Sequence, residues 1–359
     1  MPDILLFGAT GYTGRLTAHA LARRGADFAI AGRSRERLEA LAAETGNPDV
    51  RIAAVGDVDA LVAALRDVKV MITCVGPFGE LGWTAVDAAL RARVHYIDST
   101  GEGTFIRQMI DTRMEAARNA GIAMVSAMGF DEVPADAAAT IATEGMKAAD
   151  LVLTYAMPTA GSRGTVRSAV GIIGSEGAWV ADGERIPIRA GQEQRWSPMP
   201  PPLGPKPAVA FPLAEGQLAP LHLNLHSLKT FLTTDPMTKQ LIRFGLPVLK
   251  LVTGNAAGRG AVKAVVDRLP EGPNDRQRHK GRWTILAEAS SPDGWRNVAL
   301  SGRDVYGLTA EFLSAGALAL TEPGFDVTGV VSPVQAVGIE RWRKEFVDLD
   351  VVVDTYEQR

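Results

Sequence analysis

Residues 4–25 read ILLFGATGYTGRLTAHALARRG. Four large apolar side chains, Ile4 to Phe7, lead into Gly8, Gly11 and Gly14, spaced three apart, and then into a run with Leu16, Ala20 and Leu21 on one helical face and Gly25 as its stop. The pattern predicts a buried strand, a tight turn and an amphipathic helix. Glycine suits such a turn because it tolerates positive φ and lets a ligand approach backbone N–H groups at the positive end of the helix, where a Cβ would obstruct. A pyrophosphate is the ligand such a turn serves. The spacing G-x-x-G-x-x-G is one residue longer than the simplest dinucleotide fingerprint, and the strand before it and the helix after it supply the required context.

Outward from this turn the same alternation continues. FAIAGR (28–33) precedes Ser34, an N-cap type, and a helix carrying Leu38, Leu41 and Ala42. RIAAV (51–55), VKVMITCVG (68–76), VHYIDST (94–100) and IAMVSAMG (122–129) read as further strands, separated by the helical runs DALVAALRD, WTAVDAALRAR and FIRQMIDTRMEAARNAG. Six strands joined by helices predict an α/β fold with a Rossmann-type, doubly wound parallel sheet whose strands are covered on both faces.

After Pro134 the rhythm changes. LVLTYAM, RIPIRA, LHLNLHSL, RWTILAEAS and RNVALSG alternate as strands do, with the turn signal SPDG before the last. They predict a second, α+β domain with a mixed, mostly antiparallel sheet. The proline-rich tract SPMPPPLGPKPAVAFP (197–212) reads as a surface loop or lid, and LTAEFLSAGALALTE (308–322) as a late apolar helix. The expected organisation is a nucleotide-binding domain over 1–134, a substrate domain over 135–302, a helix-bearing segment over 303–340 and a C-terminal tail over 341–359.

Composition narrows the function classes. The 359 residues suffice for two cores, and with a net charge of −3 and no basic run there is no nucleic-acid footprint. The single cysteine, Cys74, allows no internal disulfide and no Cys/His set spaced like a zinc site, so no metal is expected, and the composition fits a reducing cytoplasm. The start of the chain lacks a secretion-signal pattern. LIRFGLPVLKLVTG (241–254) is too short and too charged to span a bilayer, and at most it lies on a membrane surface.

Where an acid for the ribose hydroxyls of NAD is expected, at the end of the second strand, the chain has Gly32, Arg33 and Ser34. A guanidinium there pairs with a 2′-phosphate, so Arg33 selects NADP, with NADPH preferred over NADH; Arg37 is one turn on. The alternative is a solvated loop arginine. The turn itself, Gly8, Ala9, Thr10, Gly11, Tyr12, Thr13 and Gly14, forms the pyrophosphate cradle. Asp57 is placed either to receive the adenine amino group or to cap the next helix, and the two roles are compatible. Cys74, Val75, Gly76 and Pro77 close the fourth strand where the ribose and nicotinamide pass, with Cys74 read as a small core residue; Ser99 follows the fifth strand.

GATGYTGRLTAHAL, VGPFGELGWTAVDAAL, HYIDSTGE, GFDEVPAD, GSRGTVRS and GVVSPVQAVG together resemble saccharopine dehydrogenase-like NAD(P)-dependent oxidoreductases, and among them the branch of trans-acting enoyl reductases. The resemblance runs from the first strand to about Gly338 and is thin between Ala181 and Pro273. It implies an NADP-binding domain completed by 303–340, whose helix over Leu308–Leu320 returns to it, a second mixed domain over 135–302 that also serves dimerisation, and a homodimer.

Open parallel sheets bind at the carboxyl ends of their strands. That rule selects the loops holding Asp98, Glu102, Asp131, Glu132 and Asp136. Asp98 and Glu102, in DSTGE, and Asp131, in GFDEVPAD, are the catalytic candidates: a desolvated carboxylate facing a nicotinamide acts as an acid or orients a donor. Each has a structural alternative, in loop hydrogen bonds or helix capping. His95 and Tyr96 read as core residues, His222 and His226 as cleft lining or solvated face, and Arg163 and Arg167 as partners of an acidic group or part of a helix start. The expected function is an NADPH-dependent reductase that delivers a hydride to a C=C or C=N bond of a small-molecule or acyl substrate. A non-catalytic NADP sensor and a lipid-surface module are the alternatives.

Overall fold

The computed structural model describes residues 2–130, 132–158, 177–234, 258, 268 and 272–358. In chain order these form β1 (Ile4–Phe7), α1 (Tyr12–Arg23), β2 (Phe28–Gly32), α2 (Arg35–Glu44), β3 (Asp49–Ile52), α3 (Val58–Ala64), β4 (Val70–Thr73), α4 (Phe78–Leu81), α5 (Trp83–Ala92), β5 (His95–Asp98), α6 (Gly103–Ala120) and β6 (Ala123–Val125). Then follow α7 (Val133–Thr143), β7 (Ala149–Ala156), β8 (Gly177–Ala181), β9 (Glu184–Ile188), β10 (Gln194–Ser197), β11 (Lys206–Ala210), α8 (Glu215–Leu218), β12 (Leu225–Thr233) and α9 (Asp275–Lys280). The chain closes with β13 (Arg282–Ser291), β14 (Gly294–Arg303), α10 (Val305–Thr321), β15 (Gly329–Val331), α11 (Pro333–Val337), α12 (Ile339–Asp348) and β16 (Val352–Gln358).

Two compact units result: Met1–Gly101 with Phe105–Val133 and Val305–Glu345, and Glu102–Thr104 with Pro134–Asp304 and Phe346–Arg359. The first holds a parallel seven-stranded sheet in the order β15-β6-β5-β4-β1-β2-β3. β1, β2 and β4 are buried along their whole length, as expected for strands covered on both faces, whereas in the edge strand β3 Asp49 and Ile52 are exposed and Val50 and Arg51 half-buried. Five of these strands, β1, β2, β4, β5 and β6, fall within the expected runs, whereas the strand expected over 51–55 is shifted toward the N-terminus as β3 (Asp49–Ile52), since an exposed edge strand needs no apolar run. The seventh, β15, comes from GVV in the late motif and pairs in parallel with β6. The order reverses between β1 and β4, where such sheets open a crevice at the strands' carboxyl ends. In α1, Ala20 and Leu21 are buried as their spacing predicts; Leu16 is only half-buried, and Thr17 and Ala18 take core positions instead.

In the second unit β7 lies between β12, its parallel neighbour, and β13, its antiparallel one, within the order β10-β11-β12-β7-β13-β14-β16. β13 and β14 form the expected hairpin, closed at Ser291 opposite Gly294 with Pro292 and Asp293 as its two-residue loop. The proline-rich tract 197–212, expected as a surface loop or lid, holds both the connection of a second hairpin, β10 to β11, and the strand β11 itself, and its Met199 is buried against Leu286 and Ala299 of the sheet. Of the segment 341–359, expected as a tail, residues 341–348 continue α12 and Val352–Gln358 add β16 as an antiparallel edge strand beside β14. Their alternation is weak because an edge strand is largely solvated: Val352, Asp354, Thr355, Tyr356 and Glu357 are all exposed. Among the described residues no helix is long and apolar enough to cross a membrane; the stretch 241–254 lies outside them.

Candidate functional site

The three glycines of the first turn answer to three different neighbours. Gly8 has φ +80°, and a Cβ there would sit 2.6 Å from Val75 Cγ2, so the turn after β1 touches the loop after β4. Gly14 is buried in α1, and its Cβ would lie 2.3 Å from the Gly8 carbonyl oxygen and 2.8 Å from Ala9 Cα. Only glycine lets the helix start that close to the strand. Gly11 is exposed with nothing nearer than 3.4 Å, which leaves an open cradle on its outer side that a Cβ would fill. The Gly8 and Ala9 amides donate to Ala31 and the Gly11 amide to Gly8, while the first helical bond runs from Arg15 N–H to the Gly11 carbonyl. The Thr13 and Gly14 amides therefore point out of the helix end, the arrangement that fits a pyrophosphate.

Around this turn the other expected residues fall as follows. Arg33 is exposed just beyond β2, and Ser34 is the N-cap of α2 without a side-chain capping bond. Arg37 donates from Nη2 to the Thr10 carbonyl at 3.1 Å. Asp57 caps α3 by accepting the Ala60 N–H at 2.9 Å, and its exposed carboxylate keeps further lone pairs outward. Val75, Gly76 and Pro77 form the loop between β4 and α4. The half-buried Cys74 thiol is pushed up to about 12, chiefly by desolvation and partly by Asp98, against a lowering hydrogen bond with Thr17. A thiol held protonated in this way is a poor nucleophile.

Asp98, at the end of β5, is fully buried. Its Oδ1 accepts the Thr100 and Ala127 amides, each at 2.9 Å, and its Oδ2 accepts the Ser126 hydroxyl at 2.9 Å. Desolvation raises its carboxyl to about 6, with these donors pulling the other way. The buried Tyr96 hydroxyl sits close enough to feel the Asp98 charge, yet finds no acceptor with hydrogen-bond geometry. Asp98 thus ties the loop after β5 to the loop after β6. Ala127 holds φ +61°, a left-handed conformation costly for a residue with a Cβ, while its amide donates to Asp98. Farther along that loop the Phe130 amide donates to Thr309 Oγ1 of α10 at 3.1 Å. Ser99 is half-buried beside this pair of loops, and Glu102 is half-buried immediately before α6. Asp131, Arg163 and Arg167 lie outside the described residues.

Ser126, Ala127, Thr309 and Tyr306, whose ring meets Tyr12 edge-on at 5.3 Å, are parts of this region that the sequence reading missed. The first two follow an apolar strand with no pattern of their own. Thr309 stands 179 positions after the amide it accepts, so no local signal could reveal it. In the second unit His222 and His226 do not share a strand face: His222 caps a short 3-10 turn before β12 and meets Asp136 at 2.6 Å, whereas His226 lies in β12, exposed. Burial lowers the His222 imidazole, but the charge and hydrogen bond of Asp136 outweigh it, and the net shift is upward.

A strand, a three-glycine turn and a helix at the switch point of a parallel sheet define a dinucleotide-binding Rossmann unit. Residues 4–125 match the family model described as the saccharopine dehydrogenase NADP binding domain, and this segment of the chain is such a domain, with NADP its cofactor. Trans-acting enoyl reductases of Mycobacterium leprae and Mycobacterium tuberculosis are 39% identical over 141 residues and 36% over 140 residues, covering 37% of this chain and 34% of each relative. The chain thus spans about a third of the length of the curated relatives it matches. The saccharopine dehydrogenase (L-Glu forming) of Saccharomyces cerevisiae superposes over 100% of both chains with a TM-score of 0.66 at 12% identity, a likeness of fold.

Proposed function

We propose that the chain is an NADPH-dependent reductase transferring a hydride to a C=C or C=N bond of a small-molecule or acyl substrate. The observation that carries this reading is the open cradle at Gly11 beside outward-facing helix amides, with the Arg33 guanidinium just past β2, inside a segment of NADP-binding type. The enoyl reductase relatives support extending the reading from binding to reduction. Bound NADPH supplies the hydride. The Thr13 and Gly14 amides hold its diphosphate, Arg33 pairs with the 2′-phosphate, and Asp57 offers a lone pair to the adenine amino group. Asp98, with both oxygens engaged, holds the loops after β5 and β6 in place, and Glu102 and Asp131 are the carboxylates assigned to proton delivery. In this reading the protein is a homodimer in the cytoplasm, organised as an N-terminal cofactor domain and a substrate domain.

The test is an absorbance assay of NADPH consumption against a panel of enones, imines and enoyl thioesters. Turnover of any one of them supports the reading. Binding that never becomes consumption replaces it with an NADP sensor, and flotation with liposomes in place of either points to a lipid-surface role. Arg33→Ala is expected to weaken NADPH at least ten-fold more than NADH, the loss of one charge-assisted contact; equal losses remove the phosphate assignment.

A further inference from the structure

The glycine turn is held by residues that lie outside it. Arg37 donates from Nη2 to the Thr10 carbonyl, the Tyr306 ring packs edge-on to Tyr12 at 82°, and Val75 closes on Gly8. Arg33, four positions before Arg37, is exposed and has no hydrogen bond or ion pair among the described residues. The two arginines flanking the start of α2 are therefore in different situations: one is committed to the protein, the other is available.

We infer that Arg37 is a positioning residue that latches the glycine turn, and that discrimination between NADPH and NADH rests on Arg33. The inference deepens the NADP reading above and depends on it. A guanidinium is a planar fork whose donors have fixed directions, so the Nη2 aimed at a backbone carbonyl is withdrawn from a phosphate. Ordering the turn before the dinucleotide arrives lowers the entropy lost on binding. The turn meets the diphosphate, which NADH and NADPH share. Arg37 therefore strengthens both dinucleotides alike, while Arg33 reads the group that distinguishes them.

Dissociation constants for NADPH and NADH, measured by calorimetry on the full chain, separate the two roles. Arg37→Ala is expected to weaken both by a similar factor, about 3- to 10-fold for one exposed hydrogen bond, with their ratio unchanged. Arg33→Ala is expected to collapse the ratio. In the free protein, Arg37→Ala should also speed hydrogen exchange at residues 10–14, a readout that needs no cofactor. Loss of NADPH affinity with NADH spared, or exchange at the turn unchanged, overturns the latch. A wild-type chain that binds neither dinucleotide overturns the NADP reading itself, a result distinct from both.

Discussion

Gly11 and Gly14 lie in the same turn, yet substitution should separate them cleanly. Gly14→Ala drives a methyl group into the Gly8 carbonyl and Ala9 backbone, which cannot swing aside; thermal or urea unfolding should show a loss of about 1–3 kcal/mol, the usual cost of overpacking. Gly11→Ala meets only ordinary contact distances, so stability should change little while NADPH affinity falls because the methyl occupies the cradle. Wild-type affinity in Gly11→Ala would mean that the ligand does not approach from this side. Asp98 makes a second residue-level case. Asp98→Ala orphans the Thr100 and Ala127 amides and the Ser126 hydroxyl in a buried place, and about 2–4 kcal/mol of stability should be lost, with Asp98→Asn milder. Because burial raises this carboxyl to about 6 from an ordinary value near 4, the folded state binds its proton more readily than the unfolded chain. The ionised group therefore costs stability as pH rises through that window, and Asp98→Asn should flatten that part of the pH–stability curve.

Strands and helices place these groups, and two of their junctions titrate in opposite senses. His95 at the start of β5 accepts the Ala123 amide of β6 on Nδ1, which only a neutral ring does, and burial lowers its imidazole below the ordinary value near 6.5. Its contribution is complete above that value and is lost as pH falls through the folded-state value. His222, raised by Asp136 of α7 despite its burial, behaves in reverse: its contribution is complete below about 6.5 and disappears as pH rises through the folded-state value. Chemical denaturation of His95→Gln and His222→Gln across pH 5 to 8, roughly the range histidine spans, should remove these two slopes separately. The inner strands β1, β2 and β4 were legible because burial on both faces writes an unbroken apolar run. β15 and β16 were not, since a three-residue strand carries no period and an edge strand carries little hydrophobicity.

The whole molecule divides its chain between two units, the first interrupted at Glu102–Thr104 and again over Pro134–Asp304 before it resumes at Val305. If NADPH binds the turn in the first unit, saturation at about a hundred times its dissociation constant should stabilise that unit by about 2.7 kcal/mol. Hydrogen exchange should register the protection at residues 8–14, 33–37 and 74–77, and protection spread evenly over both units would count against a site confined to that turn. The amino-acid order alone determined the parallel sheet, the glycine turn and the choice of an arginine after β2, because each depends on neighbours within a few residues and on the periods of strand and helix. Folding in three dimensions decided the rest. It brought Val75 against Gly8, Thr309 to the Phe130 amide and Ser126 to Asp98, contacts between groups far apart along the chain whose pairing no local pattern encodes.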